Sequence, residues 1–174
     1  MSKSTVLSGC EPMSYDGSRD AGVLVIHGFT GNPSSLRVQA DAFAELGYHV
    51  ELPRLPGHGT TIDDMIVAPG IGSDIADPDA TEIAYDGTPL LSLSNEGIAP
   101  IVDRYGELAM PILLYTSTND HVVPPAASDH LAATAGGAVE HVLLERSFHV
   151  ATQDYDAANI TAGAATFIAR VAGA

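Results

Sequence analysis

Short continuous apolar runs alternate along the chain with stretches of helical period. Gly22-Val23-Leu24-Val25-Ile26-His27 is one such run, as expected of a strand buried on both faces. A glycine-rich turn, Gly28-Phe29-Thr30-Gly31, follows it. Over 33–46 the apolar residues Leu36, Ala40, Phe43 and Ala44 recur at i, i+4, i+7 and i+8, which predicts a helix that Gly47 can end. Residues 48–52 read as a second strand, closed by Pro53 and the loop Leu55-Pro56-Gly57-His58-Gly59. The stretch 66–97 is rich in Asp, Gly, Pro and Ser, shows no sustained period, and reads as loop or lid material. A short amphipathic helix is then predicted to carry Ile101, Val102, Tyr105 and Leu108, and Pro111 precedes a strand over 112–116. A helix near 126–135, a strand over 140–144 and a final helix over 155–172 complete the pattern, the last with Ile160, Ala164, Phe167, Ile168 and Val171 on one stripe. Strands alternating with helices predict an α/β fold with a mostly parallel sheet flanked by helices.

Composition narrows what such a fold can bind. A chain of 174 residues makes one domain, with an N-terminal core part over 1–65, the loop or lid over 66–97 and a C-terminal core part over 98–174. Asp and Glu number 22 against 7 Lys and Arg, a net charge of −15 that repels phosphate backbones and anionic membrane surfaces. Nucleic acid and stable membrane anchoring are therefore excluded as expectations, and small neutral molecules are the easier partners. The single cysteine, Cys10, excludes an internal disulfide and a Cys-based zinc site. Leu7-Ser8-Gly9-Cys10 has the look of a lipoprotein cleavage site, but the residues before it lack the apolar core of about 7–15 residues that a signal peptide needs. A cytoplasmic location is expected.

Three features lie at the carboxyl ends of predicted strands, where open α/β sheets place their ligand sites. In His27-Gly28-Phe29-Thr30-Gly31, a glycine-flanked turn after a strand can aim backbone N–H groups at an oxyanion. Asp120 follows the strand over 112–116, within Thr118-Asn119-Asp120-His121-Val122-Val123-Pro124. His149 follows the strand over 140–144, within Ser147-Phe148-His149-Val150. An Asp can orient an imidazole and stabilise its charged form, while the imidazole moves the proton of a nucleophile. The two residues stand 29 positions apart in Asp-then-His order, the order of a hydrolase triad whose serine comes first.

Those segments, together with the loop Leu55-Pro56-Gly57-His58-Gly59-Thr60, resemble the α/β-hydrolase superfamily, and within it the bacterial carboxylesterase and monoacylglycerol-lipase group. The resemblance covers the first third and about the last 80 residues, in the family's order. It implies an ester hydrolase acting on a small neutral acyl ester or monoacylglycerol, with the Phe29 N–H in the oxyanion hole, Asp120 as triad acid and His149 as general base. It implies no metal or organic cofactor.

One part of the pattern is missing. None of the 13 serines has glycine two positions before and two after it, so the G-x-S-x-G elbow that carries the family's nucleophile is absent. Ser73, in Gly70-Ile71-Gly72-Ser73-Asp74, is the nearest glycine-flanked serine, but it lacks the strand-turn-helix context of a nucleophile. About three strand-plus-helix units are absent between the second strand and the lid, roughly 70–75 residues at ordinary element lengths. The join falls near 64–67 and reads as an internal deletion. Removing the central strand is expected to leave sheet edges open to pairing, including with a second copy of the chain. The expected fold is thus an α/β-hydrolase shortened by loss of central strand–helix units, without ordinary esterase turnover. The alternative is a non-catalytic remnant that binds a small apolar ligand or a partner chain. Metal binding by His27, His58, His121 and His149 has no supporting ligand spacing, and none is expected.

Overall fold

The computed structural model describes residues 5–28, 31–61 and 100–173; Phe29, Ser73 and the stretch 66–97 lie outside them. The chain divides into two compact units, Met1–Ala99 and Pro100–Ala174.

The first unit is built on three strands: β1 (Met13–Tyr15), β2 (Gly22–Leu24) and β3 (His49–Leu52). Their order is β1-β3-β2, with β2 parallel and β1 antiparallel to β3. A parallel pair needs a crossover, and here a 3₁₀ turn at Pro33–Leu36 followed by helix α1 (Arg37–Glu45) supplies it. Asn32 starts the turn by accepting the Ser34 N–H on its side chain at 3.0 Å. Gly47 ends α1 at φ +86°, a left-handed conformation glycine adopts without a Cβ clash, and the Gly47 and Tyr48 N–H groups return to the carbonyls of Ala44 and Phe43. The expected apolar stripe is the buried one: Ala40, Phe43 and Ala44 pack in a core with Val25, Tyr48, Val50 and Leu52.

Two features of this unit differ from the sequence expectation. Strand β1 has no counterpart in the sequence pattern, because Met13-Ser14-Tyr15 is too short to give a period. It is held by backbone pairing to β3, reinforced by the Ser14 hydroxyl donating to Glu51 at 2.6 Å. The run Gly22–His27 is also not buried on both faces. Val25 and His27 are buried, but Leu24 is 63% exposed and Ile26 55% exposed. Among the described strands β2 has a single hydrogen-bonded neighbour, β3.

The second unit is a β-α-β unit closed by a C-terminal helix. Strand β4 (Ile112–Ser117) and strand β5 (Val139–Leu144) pair in parallel with Ser117 opposite Leu144, and helix α2 (Pro125–Thr134) joins them. Alternate residues face opposite sides of a strand. On one side Thr116 meets His141 at 2.9 Å, and His141 reaches toward Asp129 of α2. On the other, Tyr115 packs beneath Gly163 of helix α3 (Ala157–Ala172), and Arg170 of α3 pairs with Glu140. The pair of strands thus carries a helix on each face, and its core includes Leu144 and Ile160. These four elements lie within a residue or two of the ranges predicted from the sequence. Among the described residues no helix is long and apolar enough to cross a membrane.

Candidate active site

Parallel pairing of adjacent strands brings their carboxyl ends side by side. Asp120 lies three residues beyond Ser117 at the end of β4, and His149 lies five beyond Leu144 at the end of β5. The two loops are stitched together as they leave the sheet. Thr118 donates from its backbone N–H and its hydroxyl to the Leu144 carbonyl, at 2.9 and 3.2 Å. The Asn119 side-chain amide donates to the Glu145 carbonyl at 2.8 Å, and the Ser117 hydroxyl donates to the Ser147 carbonyl. Across the loop tips the rings of His121 and Phe148 lie 6.0 Å apart.

This stitching sets Asp120 against His149, with Nδ1 of the imidazole 2.9 Å from Oδ2 of the carboxylate. The other carboxylate oxygen, Oδ1, accepts the backbone N–H groups of Val122 and Val123 at 2.8 and 2.9 Å, an Asx-type turn that fixes the carboxylate plane. Partial burial favours the protonated acid, but the hydrogen bond from His149 and the two N–H donors outweigh it, and the Asp120 carboxyl is held below its ordinary value. An ionised carboxylate can only accept, so Nδ1 carries a proton, and in the neutral ring the lone pair sits on Nε2. The Asp120 side chain is 13% exposed and that of His149 is 46% exposed, so the acid is shielded while the base opens to solvent. Nε2 has no hydrogen-bond partner among the described residues. The pair is therefore set to accept a proton at Nε2, as a general base does.

In the other unit, His27 does different work. Its Nε2 accepts the Leu55 N–H at 3.2 Å, and its Nδ1 donates to the Gly28 carbonyl at 3.1 Å, so the neutral ring ties the loop after β2 to the loop after β3. Burial lowers its basicity, the Gly28 bond partly opposes this, and the neighbouring His58 ring, 5.1 Å away, adds to it. A ring with both nitrogens in use is a clamp. Cys10 is buried beside Gly59, whose absent side chain leaves room for it. Among the described residues no group of three or more His, Cys, Asp or Glu is arranged to hold a metal ion.

Of the residues singled out in the sequence, Asp120 and His149 stand in direct contact, while Phe29 and Ser73 lie outside the described residues. Four supporting residues carry no catalytic signal in the sequence: Ser117, Ser147, Asp154 and Asp156. The only sequence signal for the last two is a pair of acids just before an apolar-periodic helix, which ordinarily reads as an N-cap.

No protein-family model matches the chain. The chain is 31% identical over 245 residues to the thermostable monoacylglycerol lipase of Bacillus sp. (strain H-257), covering 97% of this chain and 98% of that protein. It is 34% identical over 56 residues to the carboxylesterase of Bacillus subtilis (strain 168), covering 32% of this chain and 22% of that protein. Among solved structures, one from work on the metagenome-derived lipolytic enzymes LipS and LipT superposes with a TM-score of 0.79 at 26% identity, covering 95% of this chain and 100% of that one. The first of these alignments runs over 245 positions against 174 residues, so at least 71 positions face no residue of this chain. Because nearly the whole of both proteins is covered, the shortfall is internal, and its size matches the deletion inferred from element lengths. The strand topology, the Asp–His pair at the ends of adjacent parallel strands and these likenesses agree: the chain belongs to the α/β-hydrolases, in the group of monoacylglycerol lipases and carboxylesterases.

Proposed function

We propose that the site is that of a carboxylic-ester hydrolase for small neutral acyl esters of the monoacylglycerol type, in which this chain keeps the acid and the base and lacks the nucleophile. The observation that carries the reading is the Asp120–His149 contact, with Nδ1–H tied to an ionised carboxylate and Nε2 left open. In a complete site a serine hydroxyl gives its proton to Nε2 of His149 as its oxygen bonds to the ester carbonyl carbon. The Phe29 N–H stabilises the resulting oxyanion, and the imidazolium passes the proton to the departing alcohol. Water, deprotonated by the same nitrogen, then releases the acid from the acyl-enzyme.

The test restores what is missing. The segment of the Bacillus sp. lipase that faces the absent positions, inserted at 64–67, is expected to give turnover of p-nitrophenyl butyrate. Asp120→Asn in that background is expected to lower the rate by about 10⁴-fold, the order seen when a triad acid is neutralised. A restored chain whose turnover is indifferent to Asp120→Asn and His149→Ala would remove both residues from the mechanism.

A second reading has its own support. Among the described strands, β2 and β4 each have one neighbour, and Leu24 and Ile26 are exposed on the first unit. Unpaired edges of this kind favour association with a second copy of the chain. In that reading the protein is a non-catalytic remnant whose ligand is a partner chain or a small apolar molecule.

A further inference from the structure

His149 is half exposed, and among the described residues its side chain makes one hydrogen bond, to Asp120. Its position therefore comes from the loop that carries it, and that loop is held from behind. Ser147, fully buried, gives both its backbone N–H and its hydroxyl to one oxygen of Asp156, at 3.1 and 2.8 Å. The same hydroxyl oxygen accepts the Asp156 N–H at 2.8 Å, so the two residues bond reciprocally. Asp154 adds a second tie, accepting the Phe148 N–H at 2.9 Å.

Asp156 occupies the N-cap position of α3, where an Asp ordinarily accepts N–H groups of the helix it starts. Here its carboxylate makes no such bond and is turned back to Ser147. The residue is 7% exposed, and among the described residues it has no cationic partner within ion-pair distance. A buried carboxylate that forgoes both a cation and its own helix cap is unfavourable unless its remaining bonds matter. Those bonds end on Ser147, whose carbonyl is also fixed by Ser117, three residues before Asp120.

We infer that Asp156, acting through Ser147, is a positioning residue that sets the imidazole of His149 against Asp120. The inference rests on the ester-hydrolase reading of the Asp120–His149 pair and extends it by one layer of the loop.

The test is spectroscopic and uses the whole chain, since turnover is not expected of it. The Nδ1–H proton of His149 is followed by NMR, identified by its disappearance in His149→Ala. Asp156→Ala is expected to speed its exchange with water about tenfold, the order for losing one or two buried hydrogen bonds, while melting stays cooperative. Asp156→Asn, whose amide oxygen still accepts from Ser147, is expected to restore slow exchange. Should Asp156→Ala not fold, Ser147→Ala removes the hydroxyl bonds alone and is expected to act in the same direction. Exchange unchanged from wild type in Asp156→Ala, or in Ser147→Ala where Asp156→Ala does not fold, overturns the positioning role. A wild-type chain that shows no such proton overturns the Asp120–His149 reading beneath it.

Discussion

At the scale of single residues, the site separates two histidines that look alike in the sequence. Both follow a strand, yet His149 keeps Nε2 open while His27 has committed both nitrogens. Their surroundings lower both the Asp120 and the His27 pKa, so both cost stability on acidification, in different pH windows. In the folded chain Asp120 stays ionised to lower pH than its ordinary 3.8, so on acidification the unfolded chain takes up that proton first. The stability from its bonds to His149 and the Val122 and Val123 N–H groups is complete above about pH 5 and is lost as pH falls through the depressed value. Urea denaturation at pH 5 and pH 3 is expected to show a smaller loss in Asp120→Asn than in wild type; equal losses would deny the bond. His27 is also depressed, from an ordinary 6.5, but here the folded state is the neutral one. Stability is expected to fall as pH drops below about 6.5, until the folded ring itself protonates and breaks the Leu55 bond. An imidazole titration of His27 with a midpoint below 6.5 checks this, and a midpoint at or above it contradicts it.

At the scale of elements, the two β-α-β connections were legible because their signals are local. Apolar runs, a helical stripe and a terminating glycine suffice to draw β2-α1-β3 and β4-α2-β5. What was not legible depends on partners distant in the chain. Strand β1 exists through its pairing with β3, 37 residues away at the Ser14–Glu51 bond, and β2 has β3 as its one neighbour among the described strands. The role of Asp156 has no sequence signal of its own: its partner Ser147 lies nine residues back in the same connection between β5 and α3, and an Asp before a helix ordinarily reads as an N-cap. Gly163 shows how tightly α3 seats on β4. A Cβ there would fall 1.9 Å from the Tyr115 hydroxyl oxygen. Alanine gains up to about 1 kcal/mol of helix propensity over glycine, but overpacking costs about 1–3 kcal/mol, so Gly163→Ala is expected to destabilise on balance. Adding Tyr115→Phe removes the clashing atom and is expected to recover the loss. Chemical denaturation of the single and double variants measures both, and a stabilised Gly163→Ala would mean that α3 sits further from the sheet.

At the scale of the whole molecule, length and motif have to be read together. A length of 174 residues is ordinary by itself; against a relative that aligns over 245 positions it leaves at least 71 of them without a counterpart. Among the described strands, β2 and β4 each have one hydrogen-bonded neighbour. Sedimentation is expected to show association that grows with concentration, opposed by the −15 charge at low salt and reduced by Leu24→Lys, which puts a cation beside the β2 edge. A species of 18.0 kDa at every concentration would mean that the edges are satisfied within one chain. The central claim is that acid and base persist without a nucleophile, and hydrolysis of p-nitrophenyl butyrate by the purified chain, beside its His149→Ala variant, tests it most directly. The expected result is no turnover above the buffer rate in either protein. Turnover in the wild type that vanishes in His149→Ala would contradict the claim, because it would require a nucleophile that the sequence does not provide in the family's motif.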